Sequence, residues 1–428
     1  MEQGIMQIKN LIIGAGLSGL SFAYFSGKDY LILEQDSTPG GYCRTIPNKK
    51  YVWDYAGHFY HFQNEKYKAL FRSLVESSEI IEQKKNTKIF YKQQLIDYPF
   101  QTNIHELEKA DFIACLYDLY FREEKATFDN FLDMLYVKFG KSITEKFLRP
   151  YNEKLYATDL SNLDKEAMGR FFPYADFNAV MQSMGKISKK TYNDNFLYLK
   201  RGTGYFIDKL YHQLDDQKIL FNEKVIAIDP IEKIVKTSSK KVIKYENLIN
   251  TAPFNQFLQL LSNPELTQVA KRLSYNKVLV FNLGFDRAPL EKFAREHWVY
   301  FPDNTLNFYR IGFYSNILSS DELSVYVEIG FPKNTRAIDT EKELSATLKG
   351  MKQVGIIDDS FELVDKNIIL MDPAYVHISS KDNAEVQRIF GELKKQNIYT
   401  LGRYGRWTYN SMEDCMSLAD ELASRLSS

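Results

Sequence analysis

Near the start of the chain, Gly14-Ala15-Gly16-Leu17-Ser18-Gly19 follows the short apolar run Asn10–Ile13 and opens a stretch of small and apolar residues at helical spacing. In that setting Gly14 permits a tight turn, Gly16 lets a pyrophosphate approach the backbone, and Gly19 lets helix and strand pack closely. The helix N-terminus at Leu17 and Ser18 supplies amide donors and a partial positive charge. Glu34 closes the next apolar run, twenty residues after Gly14, where an acid accepts hydrogen bonds from a ribose diol. The chemistry these residues point to is dinucleotide binding.

The elements that must position such a site can be read along the chain. The first 45 residues read strand, turn, helix, strand. From about Ile104 to Lys190 apolar residues recur three and four apart (Phe112, Leu116, Leu119 and Tyr120, then Phe128, Phe131, Leu132 and Leu135), which predicts helices. Strands are expected at Lys218–Ile228, Val242–Asn250, Lys277–Phe285, Thr305–Tyr314, Ser324–Phe331 and Asn397–Gly402, with a closing helix over Met412–Leu426. The expected fold class is α/β: a discontinuous Rossmann-type domain with a helical insert and an antiparallel sheet insert. Its parts are 1–97, 195–255 and 392–428 for the dinucleotide domain, 98–194 for the helical domain and 256–391 for the sheet domain.

Composition bounds the partners. The 428 residues carry 55 Lys+Arg against 55 Asp+Glu, a balance that argues against a protein built to hold nucleic acid or an anionic membrane. No apolar run approaches the roughly 18–20 residues of a membrane span. The N-terminus lacks a secretory pattern. Cys43, Cys115 and Cys415 are isolated, so neither a disulfide framework nor a cysteine metal site is expected, and a reducing cytoplasm fits.

After Glu34 and Gln35 come Pro39-Gly40-Gly41-Tyr42-Cys43-Arg44-Thr45 and Trp53-Asp54-Tyr55-Ala56-Gly57-His58. These stretches resemble the extended fingerprint of FAD proteins of the amine oxidase and protoporphyrinogen oxidase type. The resemblance implies FAD as cofactor, with Gly41, Tyr42 and Arg44 following it past the pyrophosphate and Gly57 and His58 beside the isoalloxazine. Gly402-Arg403 and the helix after it resemble the last strand–helix unit of that clan, facing the pyrimidine end of the flavin. Gln35, Val225 and Met412 are assigned to the cofactor on the same resemblance.

Four further stretches resemble the UDP-galactopyranose mutases. Tyr98-Pro99-Phe100-Gln101-Thr102-Asn103-Ile104 is similar to the family's YPFQ-x-N-I segment, which implies Phe100 and Gln101 in the substrate pocket. Phe147 to Tyr156 is similar to its F-x-x-x-Y-x-E-K-x-W segment, implying Tyr151, Asn152 and a base-stacking ring at Tyr156; Arg170, fourteen residues on, matches an arginine that reaches the pyrophosphate. Trp298-Val299-Tyr300-Phe301-Pro302 with Phe308-Tyr309-Arg310 is similar to the W-x-Y-F-P…F-Y-R run of eukaryotic members, whose arginine is the second pyrophosphate ligand. Tyr409-Asn410-Ser411-Met412 resembles the bacterial Y-x-x-M-D ending, and Tyr375 stands where another family tyrosine does. The chain departs from the family at Tyr156, where Trp is usual, at Ile317, where eukaryotic members place a Tyr, and at Ala56, in place of a Gly.

What the resemblance implies is a redox-neutral exchange of pyranose and furanose forms of a nucleotide sugar, UDP-galactose by default, supplying furanose units for surface glycans. It proceeds through a covalent flavin N5–sugar adduct on FAD kept reduced by NAD(P)H or another reductant. Two guanidiniums, Arg170 and Arg310, suit a departing diphosphate, to which they can donate forked, charge-assisted hydrogen bonds. His58 would tune the N5 face. Family members often form dimers or tetramers. Two other readings keep the N-terminal fingerprint: an oxidase or desaturase of the same clan acting on an amine, porphyrin or polyene, and a flavin-binding scaffold without activity.

Overall fold

The computed structural model describes residues 6–427 except 28, 124, 170, 171, 174 and 186–194. Strand Met6–Ile13 lies between Val242–Asn250 and Tyr30–Leu33, parallel to both, and Ile219–Leu220 extends the sheet beyond Tyr30–Leu33. On its other side Val242–Asn250 pairs with Ile234–Thr237 antiparallel and with Ile398–Thr400 parallel. The chain therefore returns to its first sheet from both the middle and the end of the sequence. One face of this sheet is covered by helices Leu17–Ser26, Gly204–Tyr211 and Met412–Ser427, through residues such as Leu20, Phe206 and Met416.

The other face is covered by Phe254–Leu260, Pro264–Arg272 and Ser380–Lys395, whose Phe257, Val269 and Ile389 share a core with Leu11, Leu31 and Leu248. Those three helices fall largely within residues 256–391, yet their apolar faces belong to the first sheet. The second sheet runs in the order Leu363–Met371, Asn276–Phe285, Ser324–Pro332, Arg310–Phe313, Trp298–Tyr300, Thr87–Tyr91, Gln94–Asp97. Its pairings are antiparallel except where Trp298–Tyr300 meets Thr87–Tyr91 in parallel. Residues 87–97 thus complete the second sheet rather than the first.

Helices between Lys109 and Met184 bury Phe131, Leu135, Phe139 and Phe147 in a third core, shared with Ile89 and Ile96 of the second sheet. Two expected strands are shorter than their apolar content suggested. Lys218–Ile228 splits into Ile219–Leu220 and Val225–Asp229 around Asn222, whose φ of 56° is a turn conformation. Of Thr305–Tyr314 only Arg310–Phe313 is strand, and Tyr314 starts a short helix. Among the described residues no helix is long and apolar enough to cross a membrane.

Candidate active site

Strand Met6–Ile13 ends in the glycine turn, and helix Leu17–Ser26 starts immediately after Gly16. Gly14 has φ 99°, a conformation glycine adopts without steric cost. A Cβ at Gly19 would lie 2.0 Å from Gly14 O, so close packing of helix on strand requires glycine there. A Cβ at Gly16 would meet nothing within 4 Å, and this residue borders a cavity of about 1310 Å³. Glu34, 7% exposed, holds the turn: its carboxylate accepts from Ala15 N at 2.7 Å and Asp36 N at 2.9 Å. Burial raises its pKa, against the pull of those two amides. Arg44 donates from Nε to Pro39 O at 3.1 Å and from Nη2 to Asp36 at 2.6 Å, tying the second glycine loop to the end of the acid's strand.

The cavity continues from this wall into the space beside the second sheet. Of the expected cofactor residues, Gly14, Gly16, Leu17, Ser18, Glu34, Gln35, Gly41, Tyr42, Arg44, Gly57, His58, Val225, Arg403 and Met412 line it, and Gly19 stands behind them. His58 and Arg403 present buried nitrogens, Nδ1 and Nε, that have no hydrogen-bond partner of good geometry among the described residues. Burial, followed by the nearby Arg403 charge, lowers the His58 pKa to about 4, so its imidazole is neutral at pH 7. The Arg403 guanidinium lies 4.2 Å from the Tyr409 ring centre and 5.1 Å from that of Tyr375. Those two rings are stacked on each other. A glycine cradle open at Gly16, an acid beside it and buried ring and guanidinium nitrogens farther along fit a dinucleotide that extends through the cavity.

The same cavity is lined by Tyr98, Tyr151, Trp298, Tyr300, Arg310, Glu328, Tyr375 and Tyr409. Arg310 and Glu328 are directly opposite on adjacent antiparallel strands. Arg310 donates from Nε to Glu328 Oε2 at 2.5 Å and from Nη2 to Oε1 at 2.6 Å. Burial pulls the guanidinium pKa down, and the Glu328 charge outweighs it and holds the value well above normal. The fork uses two of the five N–H donors of an arginine, Tyr300 OH receives a third, and two are left for a ligand. Trp298 Nε1 donates to Tyr300 OH at 3.0 Å, and the Tyr300 ring meets Tyr151 edge-on at 4.9 Å.

Five expected substrate residues do not line the cavity. Tyr156 is 1% exposed and meets Tyr375 and His377 edge-on, each at 6.0 Å. A base-stacking ring was expected there, but the helical core covers this one, and its hydroxyl is buried without a partner among the described residues. Phe100 stacks on Phe147 at 5.2 Å, and Gln101 Nε2 donates to Pro173 O. Asn152 Nδ2 donates to Leu148 O at 2.6 Å, and Tyr309 is fully buried. Ile317 is buried away from this cavity. Ala56 adopts φ 66°, the left-handed conformation that suits the glycine it replaces. Arg170 lies outside the described residues. Glu328 escaped sequence reasoning; the signal available was a lone acid in the otherwise apolar strand Ser324–Pro332. Among the described residues no group of three or more His, Cys, Asp or Glu side chains is placed to hold a metal.

Comparison with known proteins places this geometry. Residues 12–76 match the NAD(P)-binding Rossmann-like domain. A crystal structure of reduced UDP-galactopyranose mutase superposes with a TM-score of 0.92 at 24% identity, over 98% of this chain and 95% of that one. A putative protoporphyrinogen oxidase from Exiguobacterium sp. 255-15 gives 0.75 at 17% identity, over 99% of each chain. Wild-type putrescine oxidase bound to putrescine gives 0.64 at 12% identity, also over 99% of each. The chain thus has, along nearly its whole length, the fold of UDP-galactopyranose mutase and of these oxidases: a Rossmann-like dinucleotide domain carrying a helical and a sheet insert.

Proposed function

We propose that this chain is a flavin-dependent isomerase that interconverts the pyranose and furanose forms of a nucleotide sugar, UDP-galactose by default, with FAD held along the glycine wall. One observation carries the reading. A single cavity joins the dinucleotide wall to the Arg310–Glu328 fork and its tyrosines, and its 1310 Å³ exceeds the roughly 300–1,000 Å³ typical of a site for one ligand. Two ligands meeting in one enclosure suit a cofactor that works directly on the sugar. The likeness in fold to UDP-galactopyranose mutase supports the same reading.

The residues divide the work. Gly14, Gly16 and the helix N-terminus receive the pyrophosphate of the cofactor, Glu34 its ribose, and Gly57, His58 and Arg403 border its ring. When bound and reduced, the flavin supplies an electron-rich N5 able to take a glycosyl group from a diphosphate. Arg310, with Tyr375 and Tyr409, binds that diphosphate as it leaves and presents it again for return. Because Glu328 neutralises Arg310, this grip rests on directed hydrogen bonds more than on net charge. That balance suits a group that must depart and come back. Arg170 is assigned to the same diphosphate by its sequence position. The aromatic enclosure of Tyr98, Tyr151, Trp298 and Tyr300 excludes water from the reacting carbon.

The test is a panel of nucleotide sugars incubated with dithionite-reduced and with oxidised protein, the furanose product being separated by chromatography. Conversion by reduced protein only is expected. Arg310→Ala and Arg170→Ala should each lose most turnover, about a hundredfold or more, while FAD stays bound. Bleaching of oxidised flavin by a substrate, with no ring-contracted product, would instead favour the oxidase reading that the putrescine oxidase likeness keeps open.

A further inference from the structure

The loop Asp54–His58 is held from behind by a buried hydrogen-bond network that none of the roles above uses. Asp54 is fully buried and forms no ion pair among the described residues. Its carboxylate accepts from Thr45 Oγ1 at 2.5 Å, from Tyr198 OH at 2.7 Å and from Thr203 N at 3.2 Å. Thr45 Oγ1 in turn accepts from Gly204 N at 2.8 Å, so its single proton goes to Asp54. Every neighbour donates and none needs a proton from Asp54, which is the arrangement of an ionised carboxylate. Burial raises its pKa, and the hydrogen bonds from Thr45, Tyr198 and Thr203 act against that rise.

The same elements seize the main chain of the loop. Tyr314 OH accepts from Asp54 N at 3.1 Å and donates to Ala56 O at 3.2 Å, across the residue held at φ 66°. Asn282 Nδ2 donates to Asp54 O at 3.1 Å. Thr203 Oγ1 donates to His58 O at 2.5 Å, while Thr203 O accepts from Tyr60 OH at 2.9 Å. The turn that carries Thr203 has no slack, since a Cβ at Gly202 would lie 2.2 Å from Thr45 Oγ1 and one at Gly204 2.5 Å from Thr45 N. One threonine therefore grips both ends of the loop, its amide on Asp54 and its hydroxyl on His58. We infer that Asp54 and Thr203 are positioning residues that fix the main chain of residues 54–58 and so hold the His58 imidazole at the cavity wall, against the backbone of Tyr55 and Ala56. A left-handed alanine in mid-loop is a conformation that such over-determination sustains.

The part of this inference that concerns the cofactor rests on the flavin reading above, so the test has one arm that needs no flavin. Thr203→Val keeps the shape of the side chain and its amide but loses the donor to His58 O; Thr203→Ser keeps the donor. In cofactor-free protein with labelled histidines, the His58 titration should move by about one pH unit or more toward its ordinary value in Thr203→Val and return in Thr203→Ser. Arg403 and Arg310 are the charges that face this imidazole and are unchanged in both variants. In flavin-loaded protein, Thr203→Val should shift the visible flavin band and lower kcat about tenfold to a hundredfold with KM nearly unchanged, and Thr203→Ser should restore both. Wild-type His58 titration in Thr203→Val overturns the inference. Failure of the wild-type protein to take up flavin overturns the proposed function alone. Asp54→Asn tests the other end of the grip and is expected to reproduce the Thr203→Val titration; where it fails to fold, the threonine pair still decides.

Discussion

Replacing Glu328 with glutamine keeps the size of the side chain and removes half of a buried ion pair. Glu328 is 2% exposed, and its two oxygens receive Arg310 at 2.5 and 2.6 Å. A carboxamide offers one acceptor and turns an N–H toward the second arginine nitrogen, so one hydrogen bond is lost and two donors face each other. Breaking a buried pair costs about 3–5 kcal/mol. Arg310 borders the cavity and water can reach it there, so the lower end, about 3 kcal/mol, applies. At about 2.1 cal/mol/K per residue, the 428 residues carry an unfolding entropy of about 0.9 kcal/mol/K. Cooperative unfolding should then shift down by about 3 °C. UDP supplies the missing anion, so saturating UDP should raise the melting temperature of Glu328→Gln more than that of the wild type. Turnover by reduced protein should fall about tenfold to a hundredfold, because the guanidinium loses its aim. Thermal melts with and without UDP read the first two effects. An unchanged melting temperature together with equal UDP shifts would refute the reasoning.

Other perturbations separate packing from chemistry. Gly16→Ala should fold normally and lose FAD affinity, because its methyl group enters open space on the cofactor wall, whereas Gly19→Ala should be destabilised outright by the 2.0 Å approach to Gly14 O; flavin titration and urea unfolding distinguish them. Tyr156→Phe removes a buried hydroxyl that has no partner among the described residues and should be neutral or stabilising by about 1 kcal/mol in urea unfolding; a loss of about 1 kcal/mol or more would show that the hydroxyl is bonded. Burial holds His58, His61, His297 and His377 at about 4, while unfolded histidine titrates near 6.5. Between those values the unfolded chain binds more protons, so the stability these histidines contribute is present above pH 6.5 and is lost as pH falls toward 4. The urea midpoint should therefore drop from pH 7.5 to pH 5.5, and a midpoint that rises would contradict the buried neutral imidazoles.

The dinucleotide wall was legible because its logic is local: Gly14, Gly16, Gly19 and Glu34 act within one strand–helix–strand unit, and spacing alone encodes their geometry. Arg310 was legible through the resemblance of Phe308-Tyr309-Arg310 to a family run, but its partner was not. Glu328 lies eighteen residues on and becomes its neighbour only through the register of two antiparallel strands. Tyr156 shows the opposite limit. Residue type says that a ring can stack on a base, and only the helical core shows that Phe131, Tyr375 and His377 already surround it. The return of residues 87–97 to the second sheet was equally hidden, since the parallel pairing of Thr87–Tyr91 with Trp298–Tyr300 joins segments some two hundred residues apart. The Thr203 grip on His58 is a third non-local contact, between an ordinary threonine and a carbonyl.

The central claim is that the diphosphate leaves the sugar and returns to it with no net oxidation. It is tested most directly with UDP-galactopyranose carrying heavy oxygen in the bridge between the anomeric carbon and the β-phosphate. Reduced protein should spread the label into the non-bridging positions of that phosphate, because a departed diphosphate rotates in the grip of Arg310 before recapture, and oxidised protein should leave the label in place. A label that stays in the bridge with reduced protein, while substrate bleaches the oxidised flavin, would contradict the account.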